Sequence, residues 1–399
     1  MSRGAKMRTG RGSPAKRSEE SSRRLVIGVF ADERSEKPPY GEQNTFFERL
    51  HARAERMGIG LYAFSIRQPY TGSRRLIVRK PAGSWPASIA SFPHVVYDRS
   101  VFEKASERRS AGALKRVFAS NGIPIFNPVI GHKMVIDRYL RSRPDTKLCL
   151  PATSEVDNLG TVFRLLRKWG DVYLKPAVGT QGRGVLRVRR LSHGFRASGF
   201  TSRLRHIECT DLGEKDLAKL LKSTIGSRRY LVQQTVDSVI WNGRRTDVRA
   251  LVQRDGRGVW QVTGVAARVA ADRGDVCNLH RGGRPVPLEA LLRELERTTG
   301  VASERTHAEL IQTALVVSKA LTLRYPLLGE LGLDFVIDKN GGIRLIEANP
   351  RPGRSIFRVL GMNKEAEKSV ERPLEYAAYL VSAKPGGKSV VSYRIQSDR

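Results

Sequence analysis

Asp334, Glu347 and Asn349 are the residues whose types and spacing point most directly to chemistry. They lie in GELGLDFVIDKNGGIRLIEANPRPGRS, residues Gly329–Ser355, which reads as two strands, Leu333–Asp338 and Ile343–Asn349. An Asn-Gly pair between alternating apolar runs, here Asn340-Gly341, is a strong hairpin signal. With that pair as a two-residue turn, or as the centre of a four-residue loop, Asp338 faces Ile343 and Asp334 faces Glu347; an odd-length loop would shift the pairing. Glu347 and Asn349, two residues apart, share a face. Two carboxylates and an amide oxygen then gather on one side of the hairpin. Like charges directly opposite repel, and an all-oxygen cluster suits a hard cation such as Mg²⁺ that also takes oxygens from a phosphate. An exposed acidic turn accounts for the same residues, and the stretch alone does not separate the two readings.

A second stretch, Asp171–Arg190, reads as a strand (Val172–Lys175), a glycine loop (Gly179–Gly184) and a strand (Val185–Arg189). Backbone N–H groups in such a loop can reach polyphosphate oxygens with no side chain in the way. The loop lacks the Gly-Lys-Ser/Thr of a P-loop, and its Gly-x-x-Gly-x-Gly spacing is not the dinucleotide fingerprint. Taken alone, the loop is better explained as an ordinary hairpin turn; Lys175 at the strand end strengthens the phosphate reading by adding a point charge within reach of a phosphate. Asp247 and Arg249 share a face of a strand over Thr246–Gln253, and Arg268 ends the next one, Gly258–Arg268. In a chain this rich in Arg, each of these cations is also an ordinary surface charge when taken alone.

The elements that must hold these residues follow from periodicity. Residues 1–24 are basic, Gly- and Ser-rich and aperiodic, as expected of a disordered tail. Residues 25–126 alternate strand and helix: the apolar run Leu25–Phe30, helical spacing over Thr45–Met57, and strands at Leu61–Ser65, His94–Arg99 and Ile123–Asn127. That pattern predicts an α/β domain. Asn127-Pro128 breaks structure, and a second domain is expected over residues 127–385, with lobes at 127–230 and 231–385 and a tail at 386–399. Within it helices are expected at Lys133–Arg141, Asp157–Gly170, Glu214–Thr224, Leu288–Glu296, Glu304–Leu323 and Lys364–Val381, and further strands at Lys147–Leu150 and Tyr230–Gln234.

The 399 residues carry 71 Lys and Arg against 39 Asp and Glu, a formal net charge of +32. That implies attraction to anionic partners (nucleotides, nucleic acid, acidic peptides or polymers, membrane surfaces), although an Arg excess spread along the chain is what the coding bias of a GC-rich genome also produces, and that is the favoured reading. Aromatics are too sparse for a single-strand nucleic-acid platform, so a nucleic-acid partner is not expected. The three cysteines, Cys149, Cys209 and Cys277, fit neither a disulfide framework nor a zinc spacing, which favours a reducing cytoplasm. No apolar run has the length of a membrane span.

In order along the chain, Lys133, Lys175, the loop Gly179-Thr180-Gln181-Gly182-Arg183-Gly184, Val232-Gln233-Gln234, Asp247-Val248-Arg249, the loop from Asn278 to Gly283, and Asp334…Glu347-Ala348-Asn349-Pro350 resemble the motifs of the ATP-grasp superfamily of ATP-dependent carboxylate ligases. The resemblance spans about residues 125–360, and within the superfamily the chain looks most like the spore-coat-associated YheC/YheD family. It implies an ATP-grasp fold preceded by an α/β pre-ATP-grasp domain. It also implies ATP and two Mg²⁺ ions as cofactors, with Mn²⁺ able to substitute. By the same resemblance Asp334, Glu347 and Asn349 are metal ligands, Glu347 bridging two ions. Lys133, Lys175, Gly179, Thr180, Gln181, Gly182 and Gly184 hold ATP phosphates; Gln233, Gln234 and Val236 follow the hinge that reads adenine; Asn278 approaches the metal site; Arg249 and Arg268 stand near the γ-phosphate and acyl phosphate. The reaction implied joins an unidentified carboxylate to an amine or other nucleophile. The other function consistent with the resemblance is a non-catalytic coat protein that retains the fold and binds acidic partners.

Overall fold

A computed structural model describes residues 24–66, 74–102, 104–177, 183–271, 277 and 282–383. The proposed basic tail, the centre of the glycine loop (Gly179, Thr180, Gln181 and Gly182), Asn278 and the last residues lie outside them. The chain forms two compact units, Met1–Phe126 with Leu374–Arg399, and Asn127–Pro373.

The first unit is built on a six-stranded sheet: β1 (Val26–Phe30), β2 (Gly60–Phe64), β3 (Arg75–Arg79), β4 (Ala87–Ser91), β5 (Val95–Asp98) and β6 (Ile125–Phe126), in the order β4-β3-β2-β1-β5-β6. The pairs β2-β1, β1-β5 and β5-β6 are parallel, as the apolar run of β1 leads one to expect of a strand covered on both faces. Helix α1 (Asn44–Arg56) joins β1 to β2 and α2 (Ala105–Ser120) joins β5 to β6, α1 burying Phe47, Leu50 and Ala54 at helical spacing. The antiparallel extension β3-β4 has no counterpart in the sequence reading.

The second unit holds two sheets. The first contains β7 (Thr153–Glu155), β8 (Asp171–Pro176), β9 (Leu186–Arg190), β10 (Phe195–Phe200), β11 (His206–Leu212) and β12 (Tyr230–Gln234), in the order β11-β10-β9-β8-β12-β7. Before it comes α3 (Lys133–Arg141), and within it α4 (Leu159–Trp169) and α5 (Glu214–Ile225). Alternation decides its faces: Val172 and Leu174 of β8 pack with Val162, Leu166, Leu217 and Leu221 of the helices, which turns Asp171, Tyr173 and Lys175 to the opposite face. Helix α4 starts where the Asn158 side chain accepts the Thr161 N–H at 3.1 Å and stops at Gly170, whose φ of 74° continues no helix. Lys147–Cys149 is a 3-10 turn and not the expected strand. Pro144 and Pro151 bracket too short a run, and Arg143 and Thr146 carbonyls take up the Lys147 and Cys149 N–H groups.

The other sheet is β16-β15-β14-β17-β18, comprising β14 (Arg244–Arg254), β15 (Trp260–Val269), β16 (Arg284–Val286), β17 (Glu330–Ile337) and β18 (Ile343–Asn349), with the short β13 (Ile240–Trp241) on β14. Helices α6 (Leu288–Thr299) and α7 (Ser303–Arg324) contribute Leu291, Leu295, Leu310, Ala314, Val317 and Leu321 to a core shared with Val248, Ala250, Leu333, Phe335, Ile343 and Leu345. The chain continues into α8 (Ser355–Val359) and α9 (Asn363–Ser382).

The β17-β18 hairpin differs from its expected register in one respect. Ile337, not Asp338, faces Ile343, so the loop has odd length, and the pairing reads Val336–Arg344 and Phe335–Leu345. Asp338 folds into the loop instead, its Oδ1 accepting the Asn340 and Gly342 N–H groups at 3.0 and 2.8 Å. A bulge between Leu345 and Glu347 then takes up one residue, Ile346, and Asp334 faces Glu347 after all. Ile343 and Leu345 belong to the core. The bulge is what turns Glu347 and Asn349 to the face of Asp334.

Candidate active site

Four adjacent strands carry the charged centre. In the register of β14, β15, β17 and β18, Arg249 faces Asp334, Asp334 faces Glu347, and Asp247 faces Arg268. Arg249 donates to both oxygens of Asp334, its Nη2 to Oδ2 at 2.9 Å. Arg268 donates to both oxygens of Asp247 at 2.6 and 2.7 Å, and its Nη2 stands 3.1 Å from Asp334 Oδ1. Paired, fork-shaped bonds of this kind fix orientation as well as charge. Arg268 is buried, 6 % exposed, and the carboxylates beside it offset the cost of burying its charge.

The titration behaviour follows from this packing. Burial works to raise the Asp334 carboxyl, but Arg249 and Arg268 outweigh it and hold the group down at about 2. Burial wins at Asp247 and pushes it up, against the opposing pull of Arg268. For Arg268, burial opposes the charge, and Asp247 and Asp334 more than restore it, so its value is raised.

Lys133 opens α3, and its Nζ lies 3.4 Å from Glu347 Oε2. Lys175 lies on the open face of β8, where its Nζ donates to Gln233 Oε1 at 2.7 Å; Gln233 in turn donates from Nε2 to Thr153 Oγ1 at 3.1 Å. Burial, and then Lys133, lower the Lys175 ammonium to about 8, while Glu347, Asp334 and Asp247 pull the other way. Lys175 therefore senses the carboxylates of the other sheet, and the two sheets share one electrostatic field. The group amounts to four cations (Lys133, Lys175, Arg249, Arg268) around three carboxylates (Asp247, Asp334, Glu347).

Asn349 pairs with Gly332 at the open end of the hairpin, and its Oδ1 accepts the Arg351 N–H at 2.8 Å. A Cβ on Gly332 would come 2.8 Å from Pro352 Cβ and 3.4 Å from Arg249 Nη1, so no larger residue fits beside Asp334 there. Gln234 is exposed at the end of β12, its N–H bound to the Ala152 carbonyl at 2.8 Å. The Val236 carbonyl accepts from Arg245 Nη2 at 2.8 Å. Gly184 has φ 71°, its N–H goes to the Thr201 carbonyl at 3.2 Å, and its carbonyl accepts the Tyr230 hydroxyl at 3.0 Å. The structure thus brings together Lys133, Lys175, Gln233, Arg249, Arg268, Asp334 and Glu347. Gln234, Val236 and Gly184 make backbone hydrogen bonds to Ala152, Arg245, Thr201 and Tyr230, which are not members of that group.

Two neighbours of the site escaped the sequence reading. The Tyr173 ring has Lys175 Nζ 5.4 Å and the Arg187 and Arg245 guanidinium carbons each 6.0 Å from its centroid, an aromatic face gathering cations from both sheets. Its position two residues before Lys175 was the available signal. Glu330, 1 % exposed, binds Arg354 and, at 3.1 Å, Gln253; among so many arginines nothing in the sequence marks that pair.

The donor set formed by Asp334, Glu347 and Asn349 is all oxygen, on paired strands, with Glu347 side chain 33 % exposed. It fits Mg²⁺, provided the guanidinium groups on Asp334 and the ammonium on Glu347 have other anions to turn to. Phosphate oxygens are such anions.

Residues 122–380 match the family model described as YheC/D-like ATP-grasp. The chain is 28% identical over 369 residues to endospore coat-associated protein YheD of Bacillus subtilis, covering 89% of this chain and 78% of that protein. It is 23% identical over 370 residues to endospore coat-associated protein YheC of the same organism, covering 90% and 96%. Among solved structures it resembles a Chryseobacterium gregarium RiPP-associated ATP-grasp ligase, determined with ADP and a leader and core peptide, at a TM-score of 0.50 and 11% identity, over 87% of this chain and 96% of that one. At that identity the likeness is one of fold.

Proposed function

The chain belongs to the YheC/D-like ATP-grasp family and has its mixed α/β fold, and from that premise we propose that it is an ATP- and Mg²⁺-dependent ligase joining a carboxylate to an amine or other nucleophile. The observation that carries the reading is the meeting of Asp334 and Glu347 with Lys133, Arg249 and Arg268 within ion-pair distance, with Lys175 in the same field. Such a group can neutralise a polyphosphate and place its terminal phosphorus; it offers no serine or cysteine nucleophile, and the reaction proposed needs none.

In this reading the carboxylate oxygen of the acid attacks the γ-phosphorus, the bond to the ADP oxygen breaks, and an acyl phosphate forms. The amine nitrogen then attacks the acyl carbon, phosphate leaves, and the nitrogen gives up a proton. Lys133 and Lys175 hold phosphates, and Arg249 and Arg268 turn from Asp334 and Asp247 toward the γ-phosphate and the acyl phosphate. Gln233, Gln234 and Val236 border the adenine. Gly179, Thr180, Gln181, Gly182, Gly184 and Asn278 would contribute to binding the nucleotide. Asp334, Glu347 and Asn349 would hold Mg²⁺, or Mn²⁺ in its place; the metal, when bound, supplies charge neutralisation at the β- and γ-phosphates. Positioning and preorganised charge are sufficient sources of rate for phosphoryl transfer. The same basic surroundings suit an acidic peptide or coat protein as the acid, and we place the activity in the cytoplasm beside the developing spore coat, in keeping with the names of the relatives.

The test is release of ADP and phosphate with ATP and Mg²⁺ against pools of carboxylates and amines, comparing the wild type with Glu347→Gln. Expected are Mg²⁺-dependent ATP binding and turnover by the wild type and no turnover by the variant. Equal ATP affinity with and without Mg²⁺, with no turnover in any pool, would overturn the enzyme reading in favour of a non-catalytic coat or interaction protein.

A further inference from the structure

We propose that Asn127 is a positioning residue for the metal-holding end of the β17-β18 hairpin. The inference rests on the reading of Asp334, Glu347 and Asn349 as metal ligands. In the sequence Asn127 marks only a break in structure before Pro128. In the fold it is fully buried, at 0 % exposure, and has φ 68°, a left-handed backbone that few residues other than glycine hold without cost.

Its hydrogen bonds explain why it is held there. The Asn127 N–H donates to the Leu327 carbonyl at 2.7 Å. Oδ1 accepts the Gly329 and Glu330 N–H groups at 3.3 and 3.1 Å, where β17 begins. Nδ2 donates to the Pro350 carbonyl, just past the end of β18. One amide therefore ties together the incoming and outgoing chain of the hairpin at its open end. Neither lone isostere does both: a carboxylate has no donor for Pro350, and an aliphatic side chain has neither group.

The tie continues to a proposed ligand. Arg351 donates from Nη2 to the Asn127 carbonyl at 3.4 Å, and its N–H donates to Asn349 Oδ1 at 2.8 Å. Residue 351 is thus fixed from one side by Asn127 and in turn orients the amide oxygen of Asn349. Outer groups that aim a ligand typically change metal affinity by about 10- to 100-fold when lost.

The test uses the full chain and calorimetric titration of ATP, once with Mg²⁺ and once with chelator. Asn127→Gly removes the amide but accepts the positive φ, and Asn127→Asp keeps the acceptor for the Gly329 and Glu330 N–H groups while removing the Nδ2 donor to Pro350 and to Glu330 Oε1 at 3.5 Å. Circular dichroism and melting check the fold. Expected is an Asn127→Gly protein whose metal-free ATP affinity stays within about twofold of wild type while the Mg²⁺-dependent gain falls about tenfold or more. Asn127→Asp should share that loss. Retention of the full Mg²⁺ gain, or an equal loss of both affinities, overturns the assignment. If the glycine variant melts below the assay temperature, Asn127→Asp is read by the same criterion. A wild type with no Mg²⁺ gain overturns the metal-site reading first, and this inference with it.

Discussion

At the scale of single residues, Lys175 offers a direct probe of the site. Its ammonium is lowered from 10.5 to about 8, so in the free protein it loses its charge as the pH rises through that value. A bound phosphate would favour the charged form and restore it. ATP affinity measured without metal should therefore be flat below pH 8 and fall about tenfold by pH 9, with uptake of a proton on binding. Lys175→Arg, whose guanidinium does not titrate in that range, should remove the pH dependence; an unchanged profile in that variant would take Lys175 out of the nucleotide site. The sign for stability is opposite. A lysine lowered on folding disfavours the folded state below pH 8, and that cost disappears as the pH approaches 10.5. Glu347 and Asn349 were legible as neighbours because a spacing of two puts them on one face of a strand, whereas the count outward from Asn340-Gly341 that pairs Glu347 with Asp334 is not the one the turn follows. Asn127 was not legible, because the partners of its side-chain amide lie 202 to 223 residues away.

At the scale of elements, the hairpin turn is under tighter constraint than its sequence suggests. Gly341 has φ 80°, and a Cβ there would meet Val301 Cγ1 at 2.7 Å and Thr306 Oγ1 at 3.0 Å, both at the start of α7 and its approach. Gly341→Ala combines backbone strain with that overlap and should destabilise the second unit by about 1–2 kcal/mol, read as a lowered urea midpoint. An unchanged midpoint would mean that the loop reshapes freely. Strand pairing was read correctly for Asp334 and Glu347 although the counting premise failed at the turn: the odd loop and the bulge each move the register by one, and the shifts cancel at that pair. A signal for the bulge was present, since the residues at 343 and 345 are apolar while those at 347 and 349, of the same parity, are polar. Strands β10 and β11 were missed because Phe195–Phe200 and His206–Leu212 mix small, polar and charged residues in runs that lack an apolar stripe.

At the scale of the whole molecule, the formal charge of +32 is the dominant long-range property. Charges paired in ion pairs are already subtracted from that figure: among the described residues Arg249, Arg268, Arg354 and Arg187 sit in ion pairs with 14 % exposure or less, so the excess rests on other cations. What reaches solvent should attract any polyanion without selecting among them. Retention on immobilised DNA is expected to collapse as salt is raised and to be the same for unrelated sequences. Salt-resistant, sequence-dependent retention would instead demand a nucleic-acid surface that the fold has not revealed. The α/β class was legible because periodicity survives in buried strands and amphipathic helices such as α4 and α7. How Lys175 of one sheet comes into the field of Asp334 of another was not, since pairing across a fold leaves no local pattern.

The bulge at Ile346 acts like a dislocation in a crystal, one extra unit that slips the lattice by half a period. Ahead of it the odd-numbered side chains of β18, Ile343 and Leu345, hold the core together; behind it the odd-numbered Glu347 and Asn349 face the charged cleft. Past the slip the even-numbered Ala348 packs on the core in their place, so the strand keeps one apolar and one polar face while the parity that serves each is exchanged.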